Sequence, residues 1–216
     1  MSQALETDVL IVGSGPVGMT LALCLARRQV RCTIIEMKAA DAPSEIKCNH
    51  ISARSMEVFR RLGVAQDLRA SGLPDDYPHD VSYRTSTVGQ EITRIHIPGR
   101  RTRLTDHSGP DGWWPTPEPP HRLNQRYIEP ILARHVHRQT LIQCLYQHQA
   151  IEIQQDAQGV QVRCTVLTDG STVTLRARFV VGCDGGRSLV RKSIGAQLVG
   201  DEVVQRVQST CVRAPD

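Results

Sequence analysis

The first strong hydrophobic feature is the unbroken run Val9-Leu10-Ile11-Val12, preceded by Asp8. A continuous aliphatic and β-branched run of this length predicts a strand buried on both faces, as in a parallel sheet. Gly13-Ser14-Gly15-Pro16-Val17-Gly18 follows directly. From about residue 16 to 28 apolar side chains recur at helical spacing, with Val17, Leu21 and Leu25 in one row and Ala22 and Ala26 beside it. Pro16 suits a first helical turn, where its missing N–H costs nothing. Residues 30 to 36 read as a second strand ending in Glu36. Strand, glycine turn, helix and strand make a βαβ unit.

Further along, the period changes several times. A helix is predicted from residue 52 to about 62, carried by Ala53, Met56 and Phe59, with Gly63 where it would stop. The stretch 75–120 holds most of the chain's 12 prolines and two alternating segments, 81–87 and 92–97. It predicts short strands and long loops in a separate layer. Helical periodicity returns over 125–138 through Ile128, Ile131, Leu132 and Val136, with Pro130 predicting a kink or a later start. From Ile151 the pattern is that of antiparallel strands. Turns fall at 156–159 and at Asp169-Gly170, a hairpin pair that matches strand twist. Val173, Leu175, Ala177 and Phe179 are expected on one face of the last strand, which runs into Val180-Val181-Gly182-Cys183-Asp184-Gly185-Gly186. A further sheet is expected to begin near Val81 and Val203.

Composition narrows the classes. The 216 residues are 40% hydrophobic, the range of ordinary globular proteins, so disorder and collagen are excluded. No apolar run approaches the ~20 residues of a bilayer span, and the first eight residues lack the basic and apolar regions of a secretory signal. A net charge of +4 from 26 basic and 22 acidic residues is too small and too scattered to argue for nucleic acid. Cys24, Cys32, Cys48, Cys144, Cys164, Cys183 and Cys211 contain no Cys-x-x-Cys pair. They read as reduced thiols of a cytoplasmic protein, with no zinc site.

The chemistry concentrates in two glycine clusters. In the first, Gly13 permits a tight turn, Gly15 lets the backbone approach a pyrophosphate, and Gly18 lets helix and strand pack closely. N–H groups at the helix start then hold the anion. Glu36, at the tip of the second strand, can accept both hydroxyls of an adenosine ribose and would repel a 2′-phosphate. These residues alone leave FAD and NAD equally open.

The second cluster, Gly182-Cys183-Asp184-Gly185-Gly186-Arg187-Ser188-Leu189-Val190-Arg191, resembles the Asp-Gly motif of the single-component FAD-dependent aromatic hydroxylases. Residues 47–57, 121–132 and the hairpin strands from 151 to 181 are similar to that family's segments in the same order. The resemblance implies an α/β fold: a Rossmann-type FAD-binding domain with an antiparallel β insertion, plus an incomplete substrate-binding domain. The expected division is 1–74 and 121–195 for FAD binding, 75–120 for an insertion in the substrate layer, and 196–216 for the truncated start of a substrate domain.

The resemblance also implies residue roles. Gly13, Gly15, Pro16 and Gly18 form the dinucleotide turn, and Glu36 binds the adenosine ribose. Lys47 and Arg54 lie near the pyrophosphate and flavin, and Gln125 contacts the ribityl chain. Asp184 and Gly185 line the pyrophosphate, while Ser188 and Arg191 shape that loop and the path of the pyridine nucleotide. The implied chemistry is hydroxylation of an aromatic substrate by O₂ through a flavin hydroperoxide, with NADH or NADPH as transient donor. No residue is assigned a catalytic role and no metal is required. A homodimer or a complementing C-terminal chain are the partners considered.

Two departures stand out. Gln29 occupies a place where the family has glycine, and the family's downstream Gly-Asp motif is absent, so these residues alone are expected not to hydroxylate. The other classes kept open are an NAD-dependent dehydrogenase and a non-catalytic flavin-binding half. Of the remaining features, His135-x-His137 reads as surface, Trp113-Trp114 as loop packing, and the doublets Arg27-Arg28, Arg60-Arg61 and Arg100-Arg101 as solvated charge.

Overall fold

A computed structural model describes residues 5–44, 46–47, 49–201 and 203–206; Cys48 and Cys211 lie outside them. In chain order the elements are β1 (Leu5–Val12), α1 (Pro16–Ala26), β2 (Cys32–Glu36), α2 (Ala53–Arg61), α3 (Ala65–Arg69), β3 (Val81–Arg84) and β4 (Glu91–Ile95), followed by α4 (Gln125–His137), β5 (Ile142–Tyr146), β6 (His148–Asp156), β7 (Gly159–Val166), β8 (Thr172–Gly182) and α5 (Leu189–Ser193). They divide into two compact units, residues 1–42 with 140–216, and residues 43–139.

The first unit is built on a six-stranded sheet of order β5-β2-β1-β8-β7-β6. β5, β2, β1 and β8 run parallel, whereas β7 and β6 are antiparallel additions. The two halves differ in sequence because they differ in burial. β1 and β2 are covered on both faces, and Leu10, Ile11, Ile34 and Ile35 are almost wholly buried, each contributing ~1.5–3 kcal/mol. β7 alternates instead, with Val160, Val162 and Cys164 inside and Arg163 outside. One cluster of Leu10, Val12, Ile35, Val162, Cys164, Leu175, Ala177 and Val190 unites both halves. β8 is the bridge: its register runs antiparallel to β7 from Thr172 to Ala177 and parallel to β1 from Leu175 to Gly182.

One expectation for this unit is corrected, and two readings gain detail. The buried row of α1 is Gly18, Met19, Ala22, Leu23 and Ala26, while Val17 is exposed, because the close seat of Gly18 fixes which face turns inward. Phe179 is 59% exposed, since β7 stops pairing at Ala177 and leaves the ring without a cover on that side. Residues 196–201 and 203–206 contain no strand, so no sheet begins at Val203 among the described residues. At Gln29 the expected turn is kept despite the missing glycine. Its φ is +61°, and the Gln29 and Val30 amides donate to the Ala26 and Leu25 carbonyls, closing the helix as a left-handed C-terminal motif.

In the second unit, α3 packs against α2 and α4. Ser52 caps α2 by accepting from the Ser55 amide, and Asn124 caps α4 by accepting from the Arg126 amide, each worth about 1 kcal/mol. Gly63, at φ +75°, follows the end of α2. α4 begins at Gln125 and continues through Pro130, so the later start is not adopted. β3 and β4 form a separate antiparallel pair. Arg94 pairs with Glu91 of its own strand at 2.6 Å and reaches Asp80, next to β3, at 3.1 Å, and its hydrogen bond, with that of Ser82, holds the Glu91 carboxyl down to about 2. α3 and β5 were not predicted from sequence: each is five residues, too short to establish a period.

Candidate functional site

The carboxyl ends of β2, β1 and β8 meet at one edge of the first unit's sheet. The Gly13 amide donates to the Ile35 carbonyl at 2.8 Å, and the Cys183 amide to the Val12 carbonyl at 2.8 Å. Both glycine clusters are therefore anchored to the same three strands. Gly13 has φ +105°, and a Cβ there would lie 2.5 Å from the Cys183 carbonyl oxygen. A Cβ on Gly18 would lie 2.0 Å from the Gly13 carbonyl oxygen. These two positions accept only glycine without displacement of backbone.

Gly15 is different. A Cβ on it would meet nothing within 4 Å, so the chain there faces open space. Pro16 opens α1, and no side chain caps the helix, which leaves its first N–H groups and the positive end of its dipole for an anion. Glu36 flanks this edge. One carboxylate oxygen accepts from the Ser14 amide at 2.8 Å and the Ser14 hydroxyl at 3.0 Å, and the other from the Lys38 amide at 2.9 Å. Sequence reasoning passed over Ser14, although it lies inside the glycine motif. Its hydroxyl fixes the orientation of the acid.

On the opposite flank, Asp184 organises the second loop. One oxygen accepts from the Leu189 amide at 2.6 Å and the Val190 amide at 3.4 Å. The other, Oδ1, is buried without a hydrogen-bond partner. Gly185 has φ +76°, and neither it nor Gly186 has a neighbour where a Cβ would stand. Ser188 caps α5 through the Arg191 amide at 2.9 Å, and the Arg191 guanidinium donates to the Gly186 carbonyl at 2.8 Å, so Ser188 and Arg191 brace the loop. Burial, followed by the Asp184 carboxylate, raises the Cys183 thiol pKa above its ordinary value.

The other sequence-assigned residues, Lys47, Arg54 and Gln125, belong to the second unit. The Gln125 amide donates to the Lys47 carbonyl at 3.4 Å, which joins those two, and the Gln125 side chain donates to Glu129 at 2.7 Å. Arg54 is exposed on the first turn of α2 and pairs with Glu57 at 2.7 Å. Two expectations for this unit are corrected. His135 is not a surface group, because its Nε2 lies 2.7 Å from the Asp67 carboxylate across the α3–α4 packing. Arg100 is not solvated either: it donates to the Arg69 and Leu73 carbonyls. Trp114 is packed, stacking on His107 with centroids 5.0 Å apart, whereas Trp113 is exposed. No group of three metal-ligating side chains occurs among the described residues, and no helix among them is long and apolar enough to cross a membrane.

An uncapped helix start, a backbone edge open at Gly15, a ribose-height carboxylate and a second glycine loop on the adjacent strand define a dinucleotide-binding α/β protein. The chain belongs to the FAD binding domain family, whose profile matches residues 6–216. It is 31% identical over 205 residues to 2,4-dichlorophenol 6-monooxygenase of Cupriavidus pinatubonensis, covering 93% of this chain and 32% of that protein. It is 34% identical over 211 residues to 3-hydroxybenzoate 4-monooxygenase of Comamonas testosteroni, covering 93% and 31%. Among solved structures, the rebeccamycin biosynthetic enzyme RebC with reduced flavin superimposes with a TM-score of 0.77 at 37% identity, over 89% of this chain and 35% of that one. The flavin-dependent monooxygenase PieE, in complex with FAD and substrate, gives 0.78 at 29% identity, over 91% and 33%. The chain thus spans about a third of the length of these relatives. The match includes the Asp184 loop, which an NAD-dependent dehydrogenase leaves without a role.

The first unit fits FAD on its own residues. The open edge at Gly15 leaves room for a pyrophosphate, and the orphaned Asp184 Oδ1 lacks a donor such as a ribityl hydroxyl or a bridging water would supply.

Proposed function

We propose that this chain is the FAD-binding portion of an NADH- or NADPH-dependent monooxygenase that hydroxylates phenolic or other aromatic substrates with O₂ in the cytoplasm. Supporting this reading above all is the junction of the Gly13 turn with the Asp184 loop on neighbouring strands, together with relatives named as aromatic monooxygenases. When bound, FAD supplies the redox chemistry, taking hydride from the reduced nicotinamide and passing electrons to O₂. The chain's own residues bind and orient it. Glu36, held by Ser14 and the Lys38 amide, accepts the adenosine ribose hydroxyls. The α1 start and the Gly15 edge take the pyrophosphate, and Asp184 and Gly185 its other flank, with Ser188 and Arg191 keeping the loop rigid. Lys47, Arg54 and Gln125 are assigned to the flavin by the likeness of their segments to those of the family. Residues 1–74 and 121–195 form the FAD-binding portion, 75–120 belong to the substrate layer, and 196–216 begin a further domain.

These 216 residues alone supply the dinucleotide end of the site and not the enclosure that oxygen transfer requires. Purified with FAD, they are expected to hold flavin and to oxidise NADH or NADPH with release of hydrogen peroxide. Glu36→Arg should weaken FAD by ~1–3 kcal/mol, the cost of an unpaired polar group. The test combines flavin titration of both forms with mass spectrometry of a phenol panel. Unchanged FAD affinity in Glu36→Arg would remove Glu36 from the site, and hydroxylated phenol from this chain alone would overturn the partition.

A further inference from the structure

A cavity of about 210 Å³ lies wholly within the second unit, apart from the glycine loops, and four of its lining side chains are arginines: Arg69, Arg100, Arg103 and Arg122. Three of them carry buried N–H groups without a hydrogen-bond partner: Arg100 Nε, Arg103 Nε and Nη1, and Arg122 Nε. The arginines are otherwise fixed. Arg69 donates to Glu118 at 3.0 Å and to the Pro119 and Pro120 carbonyls. Arg122 donates to the Asp111 carboxylate at 3.0 Å, and Arg103 to the Asp111 carbonyl. Arg103 is only 7% exposed and lies 5.1 Å over the Trp114 ring.

The local charge does not cancel. Asp111 and Glu118 are the acids of the lining, so two cations remain in excess. His121 adds none near neutrality, because burial, followed by the Arg69 guanidinium, holds it down to about 4. Guanidinium N–H groups cannot be removed by deprotonation, and buried donors left unmade are costly. A fork of such donors matches the oxygens of a carboxylate or a phosphate. The volume falls below the roughly 300–1,000 Å³ of sites for drug-sized ligands, which favours a small group.

We propose that this cavity is a binding site for an oxyanion, a carboxylate or phosphate group held by Arg100, Arg103 and Arg122. The site is independent of the flavin reading, since neither Glu36 nor Asp184 contributes to it. The test uses the whole 216-residue chain with FAD, titrated with sodium phosphate or sodium benzoate against sodium chloride at constant ionic strength. The fluorescence of Trp114, stacked beneath Arg103, reports occupancy, and flavin absorbance reports the other site. At least one probe should give a saturable change, weakened at least tenfold in Arg103→Met and unaltered in Arg134→Met, a change of an exposed residue on α4. Arg122→Lys keeps the charge and loses the fork. It should weaken binding with flavin content unchanged, and covers the case in which Arg103→Met fails to fold. Response to phosphate alone identifies a phosphate-bearing ligand, and response to benzoate alone an aromatic acid; either supports the site. No saturable response to either probe, or equal affinity in wild type and Arg122→Lys, overturns it.

Discussion

Gly15→Ala separates the needs of the fold from those of the cofactor. At φ −65° and ψ 178° the backbone of Gly15 is in a region open to any L-residue. A methyl group there meets nothing within 4 Å. Without flavin the variant should therefore be as stable as wild type, or more stable by ~0.4–1 kcal/mol, because alanine restricts the unfolded chain. With flavin the same methyl occupies the edge that the pyrophosphate approaches. Loss of one charge-assisted hydrogen bond, worth ~1.5–3 kcal/mol, predicts FAD binding weaker by roughly 10–100-fold. Gly18→Ala is the contrasting case: its Cβ would stand 2.0 Å from the Gly13 carbonyl oxygen, so it should destabilise the flavin-free chain by ~1–3 kcal/mol or more. Thermal unfolding of the flavin-free proteins and fluorescence titration with FAD give the two numbers. Wild-type FAD affinity in Gly15→Ala would refute the reasoning, as would a loss of flavin-free stability in that variant.

Two further outcomes follow from strain and burial. Gln29, a non-glycine residue at φ +61°, carries about 1–2 kcal/mol of left-handed strain. Gln29→Gly should recover ~0.5–1 kcal/mol as a higher urea midpoint with unchanged slope, and a lower midpoint would show that the side chain compensates. His121, lowered to about 4 by burial and then Arg69, is protonated in the unfolded chain below about 6.5 while the folded form resists until about 4. Stability should fall as pH drops through that window, by an amount on the order of 3 kcal/mol, with His79 adding in the same direction. His121→Asn should flatten the dependence, and a constant wild-type urea midpoint between pH 7 and 4.5 would exclude it.

The parts of the fold that were legible in the sequence are those with a sustained period or with a residue type no other conformation tolerates. Val9 to Val12 could be read as a two-sided buried strand, Gly13 as a tight turn and Gly18 as a close approach, because their chemistry is local. The exposure of Phe179 has no local signal, because it depends on where pairing with β7 ends, which is a property of the partner strand. The facing of α1 has no clear signal either, because most of its rows are apolar and only the contact of Gly18 with the Gly13 turn selects one. The arginine cavity left no sequence signal: Arg69 reaches it from the end of α3, Arg100 and Arg103 from one turn and Arg122 from the segment before α4, with no common spacing.

The placement of β8 beside β1 has a kinetic consequence. The register joins Leu5 to Leu175, while β6, β7 and β8 are joined by short turns and can pair as soon as they exist. At the ~5–20 residues per second of synthesis, β1 waits roughly 10–35 s on the ribosome for its second neighbour. During that interval Val9 to Val12, destined to be covered on both sides, have only α1 and β2 available. Refolding from denaturant removes the wait but must close the same long loop, which places this chain among slow folders. A mutation in the late meander would therefore lower yield by prolonging exposure of the earliest strand, without touching the flavin loops at all.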